Sequence, residues 1–306
     1  MGELEGKVAV VTGAARGLGR CEALALAREG ARLVINDLGV ASDGTGRDEG
    51  PAREVCDEIK SLGGEAVPHF GDVADWNASK AMLQTAIDSF GEMNILVNNA
   101  GFCRDVILHK MTEQDFDDVV RVHLKGHFCG IRHAVEYWRD KAKSDGTAPY
   151  GRIVSTASES FLFGQPGQPN YGAAKAGIVP LTMGAAQLME KFGITANVFI
   201  PRARTRMNEE GVFGAMFAKP EEGFDSFAPE NAVPLVSYLA SPRAANVSGY
   251  AFIVWGRSLR VLHGPQPGEE WTSEEQWNHD SIDAVVQPFM EGRGGVVEGG
   301  YALPPM

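Results

Sequence analysis

The chain of 306 residues is 44% hydrophobic and 22% charged, the make-up of a folded globular protein and not of a disordered, collagenous or coiled-coil one. With 28 Lys and Arg against 40 Asp and Glu the formal charge is -12. A field of that sign repels phosphate backbones and anionic lipid surfaces, so nucleic-acid and membrane-surface partners are disfavoured. Cys21, Cys56, Cys103 and Cys129 stand far apart, with neither a CxxC pair nor a histidine cluster beside them. No metal site and no disulfide framework is signalled, and a reducing cytoplasm is expected. The start MGELEGKVAVVTG carries acids where a secretory signal needs positive charge, and no run nears the roughly 18 apolar residues of a membrane span.

Val8-Ala9-Val10-Val11 is a short β-branched run closed by Thr12-Gly13, and Leu18, Ala23, Leu24 and Ala27 then recur at helical spacing. After Gly30, Arg32–Asp37 reads as a second strand, so the chain opens as βαβ. Further strands are expected at Ala66–Phe70, Ile95–Asn98, Arg152–Thr156, Thr195–Phe199 and Ala251–Trp255, and helices at about 50–62, 75–90, 112–140, 170–192 and 229–241. Thr112-Glu113-Gln114-Asp115 has the form of a capping box at the start of the long helix. Continuous apolar strands alternating with amphipathic helices call for a parallel sheet covered on both faces. The expected fold is a single Rossmann-type, doubly wound α/β domain over 1–256. The Gly/Asp-rich Gly39–Gly50 and Lys143–Tyr150 read as insertions, and the aromatic stretch 202–228 reads as a lid. After Gly256 the composition shifts to Pro, Gly, Trp and acids, so 257–306 is expected to be an irregular C-terminal tail.

The turn Thr12-Gly13-Ala14-Ala15-Arg16-Gly17-Leu18-Gly19 sits between a strand and a helix, where backbone N–H groups and a helix N-terminus meet a pyrophosphate. Gly13 permits the tight turn, Gly17 the close approach, and Gly19 the packing of helix on strand; Leu18 belongs to the same binding turn. Asp37 at the end of the second strand is placed to accept hydrogen bonds from ribose hydroxyls and to repel a 2′-phosphate, which favours NAD over NADP. Arg16, a basic residue in the turn, argues the other way and is given less weight than Asp37. In Tyr171-Gly172-Ala173-Ala174-Lys175 a spacing of four puts phenol and ammonium on one helix face, so the cation can stabilise a phenolate and make Tyr171 a general acid/base. Ser158, beyond the Arg152–Thr156 strand, is placed to hydrogen-bond the same oxygen.

TGAARGLG, Asp72-Val73, Asn98-Asn99-Ala100-Gly101, Ser158 and YGAAK, in that order, resemble the short-chain dehydrogenase/reductase family over about residues 4–256. The resemblance implies Asp72 and Val73 near the adenine, and Asn99, Ala100 and Gly101 along the cofactor. It implies Lys175 on the nicotinamide ribose, Tyr171 as acid/base with Ser158 as its partner, and dimers or tetramers built on the long helices. The family's Asn in the long helix is replaced by His123, to which a relay water or simple packing would both be suited. The family's Pro-Gly after the sixth strand is Pro201-Arg202, which makes cofactor contacts by Ile200 and Thr205 less secure than those of the glycine turn. Asn36-Asp37-Leu38-Gly39, Phe102-Cys103-Arg104-Asp105 and Arg121-Val122-His123-Leu124-Lys125-Gly126 are similar to the 3-hydroxyacyl-CoA dehydrogenase units of multifunctional enzymes, which are also hydroxysteroid dehydrogenases.

The reading that follows is an NAD-dependent dehydrogenase of hydrophobic secondary alcohols or ketones, with a 3-hydroxyacyl-CoA or hydroxysteroid as substrate. Arg202, Arg204 and Arg206 are the expected basic rim for acyl-CoA phosphates. The competing reading is a catalytically silent NAD-binding regulator or scaffold, motivated by His123 and the missing Pro-Gly, and an epimerase or dehydratase using NAD transiently is a third.

Overall fold

The computed structural model describes residues 2–41, 44–205, 214, 217–263 and 268–291. Seven strands, β1 (Val8–Thr12), β2 (Arg32–Asn36), β3 (Ala66–His69), β4 (Ile95–Asn98), β5 (Arg152–Thr156), β6 (Thr195–Pro201) and β7 (Ala251–Trp255), lie parallel in the order β3-β2-β1-β4-β5-β6-β7. An eighth, β8 (Ser258–Leu262), turns back at Gly256 and pairs antiparallel with β7, so the sheet continues past the composition shift; this strand and a helix over His279–Met290 correct the expectation that 257–306 is irregular.

The helices are α1 (Gly17–Arg28), α2 (Gly50–Ser61), α3 (Trp76–Phe90), α4 (Glu113–Val120), α5 (Gly126–Asp145), α6 (Ser160–Phe163), α7 (Pro169–Met189), α8 (Pro234–Ala240) and α9 (His279–Met290). Alternate residues of each strand feed opposite faces, as a pleated sheet dictates. Val11, Val97 and Val154 pack with Ala23 and Leu26 of α1 and Val236 of α8, whereas Val10, Leu96 and Ile153 pack with Met82 of α3, Trp138 of α5 and Met189 of α7. Both faces are therefore covered, and the inner strands read as unbroken apolar runs for that reason. Trp138 satisfies its indole N–H on Met93 O at 2.7 Å, which lets it be fully buried.

The single helix expected over 112–140 continues to 145 but is interrupted. The capping box is present, with Asp115 N–H donating to Thr112 Oγ1 at 3.2 Å and Thr112 N–H to Asp115 Oδ2 at 3.0 Å. Between α4 and α5, however, Arg121–Lys125 forms one π-helical turn, and His123 sits in it. Such turns add a residue to the helix and re-aim its side chains, and they concentrate at functional sites. The helix expected over 229–241 shortens to α8, preceded by a 3₁₀ turn at Pro229–Asn231, because Pro234 restarts the run.

Candidate active site

The strand order reverses direction between β1 and β4, and it is outside the C-terminal ends of these strands that doubly wound sheets bind ligands. A cleft of about 530 Å³ opens there. The expected catalytic and cofactor residues line it except Ile200: Gly13, Arg16, Gly17, Leu18, Gly19, Asp37, Asp72, Val73, Asn99, Ala100, Gly101, His123, Ser158, Tyr171, Lys175 and Thr205. Ile200 is instead wholly buried among Ile178, Val198 and Ile253, because alternation along β6 turns it away from the cleft.

The glycine turn is held from behind by Asn99, whose Nδ2 donates to Thr12 O (3.2 Å) and Gly13 O (3.3 Å), while Thr12 Oγ1 accepts the Asn99 and Ala100 N–H groups at 2.9 and 3.1 Å. A Cβ on Gly19 would lie 2.2 Å from Gly13 O and 2.6 Å from Asn99 Nδ2, so helix and strand close only around glycine. Gly17, at φ +52°, faces open space, and the first turn of α1 has no side-chain cap. Its N–H groups are left to an anion in the cleft.

Asp37 directly follows β2. Its Oδ2 accepts Ala15 N–H at 2.9 Å and its Oδ1 accepts Gly39 N–H at 2.7 Å. Arg16, at the edge of the cleft, faces Asp48 of the 39–50 segment at 3.6 Å. Asp72 pairs with Arg121 at 2.6 Å, which ties the end of β3 to the π turn.

Tyr171, on the first turns of α7, lines the cleft beside Ser158. Burial pushes its hydroxyl up from the ordinary phenol value, and the neighbouring Ser158 acts in the opposite direction. Lys175 Nζ stands 5.4 Å from the Tyr171 ring centroid and donates to Thr156 O at 2.7 Å. Burial lowers its ammonium to about 8. The expected softening of the phenol by Lys175 does not show in this arrangement, where desolvation of the hydroxyl dominates.

His123 is buried, with Nε2 2.8 Å from Phe102 O and its ring edge-on to Tyr171 at 5.1 Å. Burial holds it well below its usual range, so it is neutral, and both backbone groups of Phe102 meet its Nε2, the N–H at 3.2 Å and the carbonyl at 2.8 Å. A Cβ on Gly101 would fall 2.0 Å from the His123 ring, which gives that glycine a packing reason beside the expected cofactor contact.

Several residues here were not singled out beforehand. His127, buried one turn past His123, contacts His123 O through Nδ1 at 2.6 Å. Cys103 lines the cleft beside Tyr171, its thiol pushed up to about 12 by burial. Glu22 is wholly buried on α1; its spacing from Leu18 and Gly19 on the inward face was the available signal. The expected basic rim is corrected by Glu159 and Asp225. Arg202 is buried in a two-contact ion pair with Glu159, one contact at 2.8 Å, and stacks on Trp255 at 4.1 Å. Arg204 pairs with Asp225. Arg206 lies outside the described residues, as do the lid aromatic Phe213 and Met216. Phe217 and Phe227 line the cleft edge-on to one another at 4.8 Å.

Among the described residues no group of three His, Cys, Asp or Glu could hold a metal, and no helix is long and apolar enough to cross a membrane.

Residues 7–211 match the model of the short chain dehydrogenase family. The chain belongs to the short-chain dehydrogenases. This short-chain dehydrogenase is 43% identical over 297 residues to hydroxyacyl-CoA dehydrogenase ChsB1 of Mycobacterium tuberculosis, covering 95% of this chain and 90% of that one. It is 40% identical to the peroxisomal hydratase-dehydrogenase-epimerase of Saccharomyces cerevisiae over 85% of its own length, which is 28% of that protein. A crystal structure of a short chain dehydrogenase from Mycobacterium avium superposes with a TM-score of 0.83 at 42% identity, covering 95% of this chain and 96% of the other. The family consists of oxidoreductases that use NAD(H) or NADP(H). A nicotinamide dinucleotide fits what is found: the glycine-only closure of Gly13 and Gly19, the uncapped helix start, and the Asp37 carboxylate beside the turn.

Proposed function

We propose that this short-chain dehydrogenase is an NAD-dependent 3-hydroxyacyl-CoA dehydrogenase. The observation that carries the reading is the convergence of Ser158, Tyr171 and Lys175 in the cleft that Asp37 and the glycine turn border. The names of its relatives support the acyl-CoA substrate.

When bound, the nicotinamide accepts the hydride of a secondary alcohol or returns it to a ketone. Gly13, Gly17, Leu18 and Gly19 would hold the pyrophosphate, Arg16 would stand beside the cofactor in the same turn, Asp37 would hold the adenosine ribose, and Asp72 and Val73 the adenine. Asn99, Ala100, Gly101 and Thr205 line the remaining cofactor path. Tyr171 takes the alcohol proton, or donates it to the carbonyl oxygen in the reverse direction, while Ser158 hydrogen-bonds that oxygen. Lys175 supplies a positive charge that favours the phenolate and binds the nicotinamide ribose. His123 sets the wall behind Tyr171. NAD is preferred over NADP because Asp37 would meet a 2′-phosphate as a like charge, and Arg16 already faces Asp48.

The reading includes a catalytic unit of residues 1–256 with its lid at 202–228 and an extension at 257–306. It also includes assembly of dimers or tetramers through the long helices and residence in a reducing compartment such as the cytoplasm. The test is NADH formation from NAD with 3-hydroxyacyl-CoAs, hydroxysteroids and simple secondary alcohols. Turnover confined to the CoA esters supports the proposal. NAD binding without turnover of any of them would replace it with a silent binding protein.

A further inference from the structure

Glu22 lies on the inward face of α1, one turn past Gly19. It is wholly buried, and neither carboxyl oxygen has a hydrogen-bond partner among the described residues. A carboxyl without partners in such a place is costly and calls for a compensating charge. Thr156 Oγ1 is likewise buried and unpartnered among the described residues. Val154 of β5 packs with Ala23 and Leu26 of α1, and Thr156, two residues on, turns its side chain to the same face. Lys175 comes from α7, on the opposite face, to donate to the Thr156 carbonyl at 2.7 Å. One residue of β5 therefore meets the ammonium with its backbone and turns its hydroxyl toward the layer that holds Glu22.

We propose that Glu22 is a positioning residue for the acid/base set: its carboxyl, sealed behind β5, is the counter-charge that keeps Lys175 an ammonium on the alkaline side of neutrality. This rests on the assignment of Lys175 to that set. Burial lowers Lys175 to about 8, and the two groups that oppose the fall are Cys103 and Glu22. Cys103 is a thiol up to about 12 and stays uncharged through the range in which Lys175 loses its proton, which leaves Glu22. Burial in turn raises Glu22 to about 8, opposed by Lys175. The two form a coupled pair, in which ionisation of the acid and retention of the lysine's proton favour each other as the pH rises.

The surroundings offer no rival. On the elements packed against α1, Glu230, Tyr238, Arg53, Glu54, Asp57 and Lys60 are exposed, Glu58 is taken by Arg20, and Cys56 is a thiol raised to about 11. On the α5 side, His123 and His127 are held neutral by burial.

The test compares wild type with Glu22→Gln, which keeps the shape and removes the charge. The carbon-13 resonance of the Lys175 side-chain ε carbon, assigned with Lys175→Met, is titrated in the protein without cofactor. A midpoint lower by about one pH unit in Glu22→Gln is expected, together with an equal descent of the alkaline limb of kcat/KM for NAD and a 3-hydroxyacyl-CoA. An unmoved midpoint, or a rate lowered by the same factor at every pH, would overturn the role of Glu22. Wild-type turnover by Lys175→Met would instead overturn the assignment of Lys175, a result separable from the first. Melting and NAD binding of each variant confirm that folded protein is compared.

Discussion

The Asp37 carboxylate accepts the backbone N–H of Ala15 at 2.9 Å, tying the end of β2 to the glycine turn. On the proposed reading a single acid thereby orients the turn that meets the pyrophosphate and stands where a ribose 2′ substituent would come. Replacing it by alanine removes both effects. Asp37→Ala is expected to weaken NAD binding by about tenfold, the cost of roughly one charge-assisted hydrogen bond, and to narrow the preference over NADP. Dissociation constants for the two cofactors check this. An unchanged preference would move the discrimination to Arg16 and the 39–50 segment.

His123 occupies the π turn and closes on Gly101, with Nε2 committed to the backbone of Phe102. On the proposed reading its ring acts through shape, as the back wall of Tyr171, which it meets edge-on. His123→Asn, the residue usual in the family, keeps a polar group but leaves space where the imidazole was. A loss of roughly 1–3 kcal/mol in stability is expected, with kcat falling no further than the fraction of folded protein. Urea unfolding beside initial rates decides it. A fall in kcat well beyond the loss of stability would make His123 a participant in proton transfer.

Much of this site was readable because its signals are local. TGAARGLG and YGAAK each lie on one element, and Asp37 lies one residue beyond its strand, so backbone geometry alone brings them to the cleft. What was not readable depends on distant partners. Nothing near Arg202 announces that Glu159 and Trp255 will enclose it, so a buried ion pair reads as a basic rim. The π turn leaves no mark in hydrophobic periodicity, because Phe116, Val119 and Val120 fit an unbroken helix equally well. Strand β8 escaped for another reason. Leu259, Arg260 and Val261 are all exposed on the sheet's edge, so no buried alternation marks it. The inner strands, sealed on both faces, were found within two residues of their ends.

Glu22 also makes a statement about stability. Its carboxyl is raised from 4.5 to about 8 in the folded protein, so the folded state holds the proton over a range in which the unfolded chain releases it. Stability from this group is greatest below about 4.5, declines as pH rises from there to about 8, and is level above. Glu22→Gln does not titrate. Its stability relative to wild type is expected to rise between pH 5 and pH 8 by an amount on the order of a few kcal/mol. Denaturant unfolding at the two pH values measures it, and an equal difference at both would contradict the burial argument.

Transfer of a proton through Tyr171 is the claim on which the rest depends. Tyr171→Phe removes the hydroxyl and leaves the ring against His123, so melting and NAD binding are expected to stay as in wild type. NADH formation from NAD and a 3-hydroxyacyl-CoA, followed for both proteins under the same conditions, is the direct measurement. The account predicts a fall of about 10²–10⁴-fold or more in kcat; a variant that keeps its rate to within about tenfold, below that range, would contradict it.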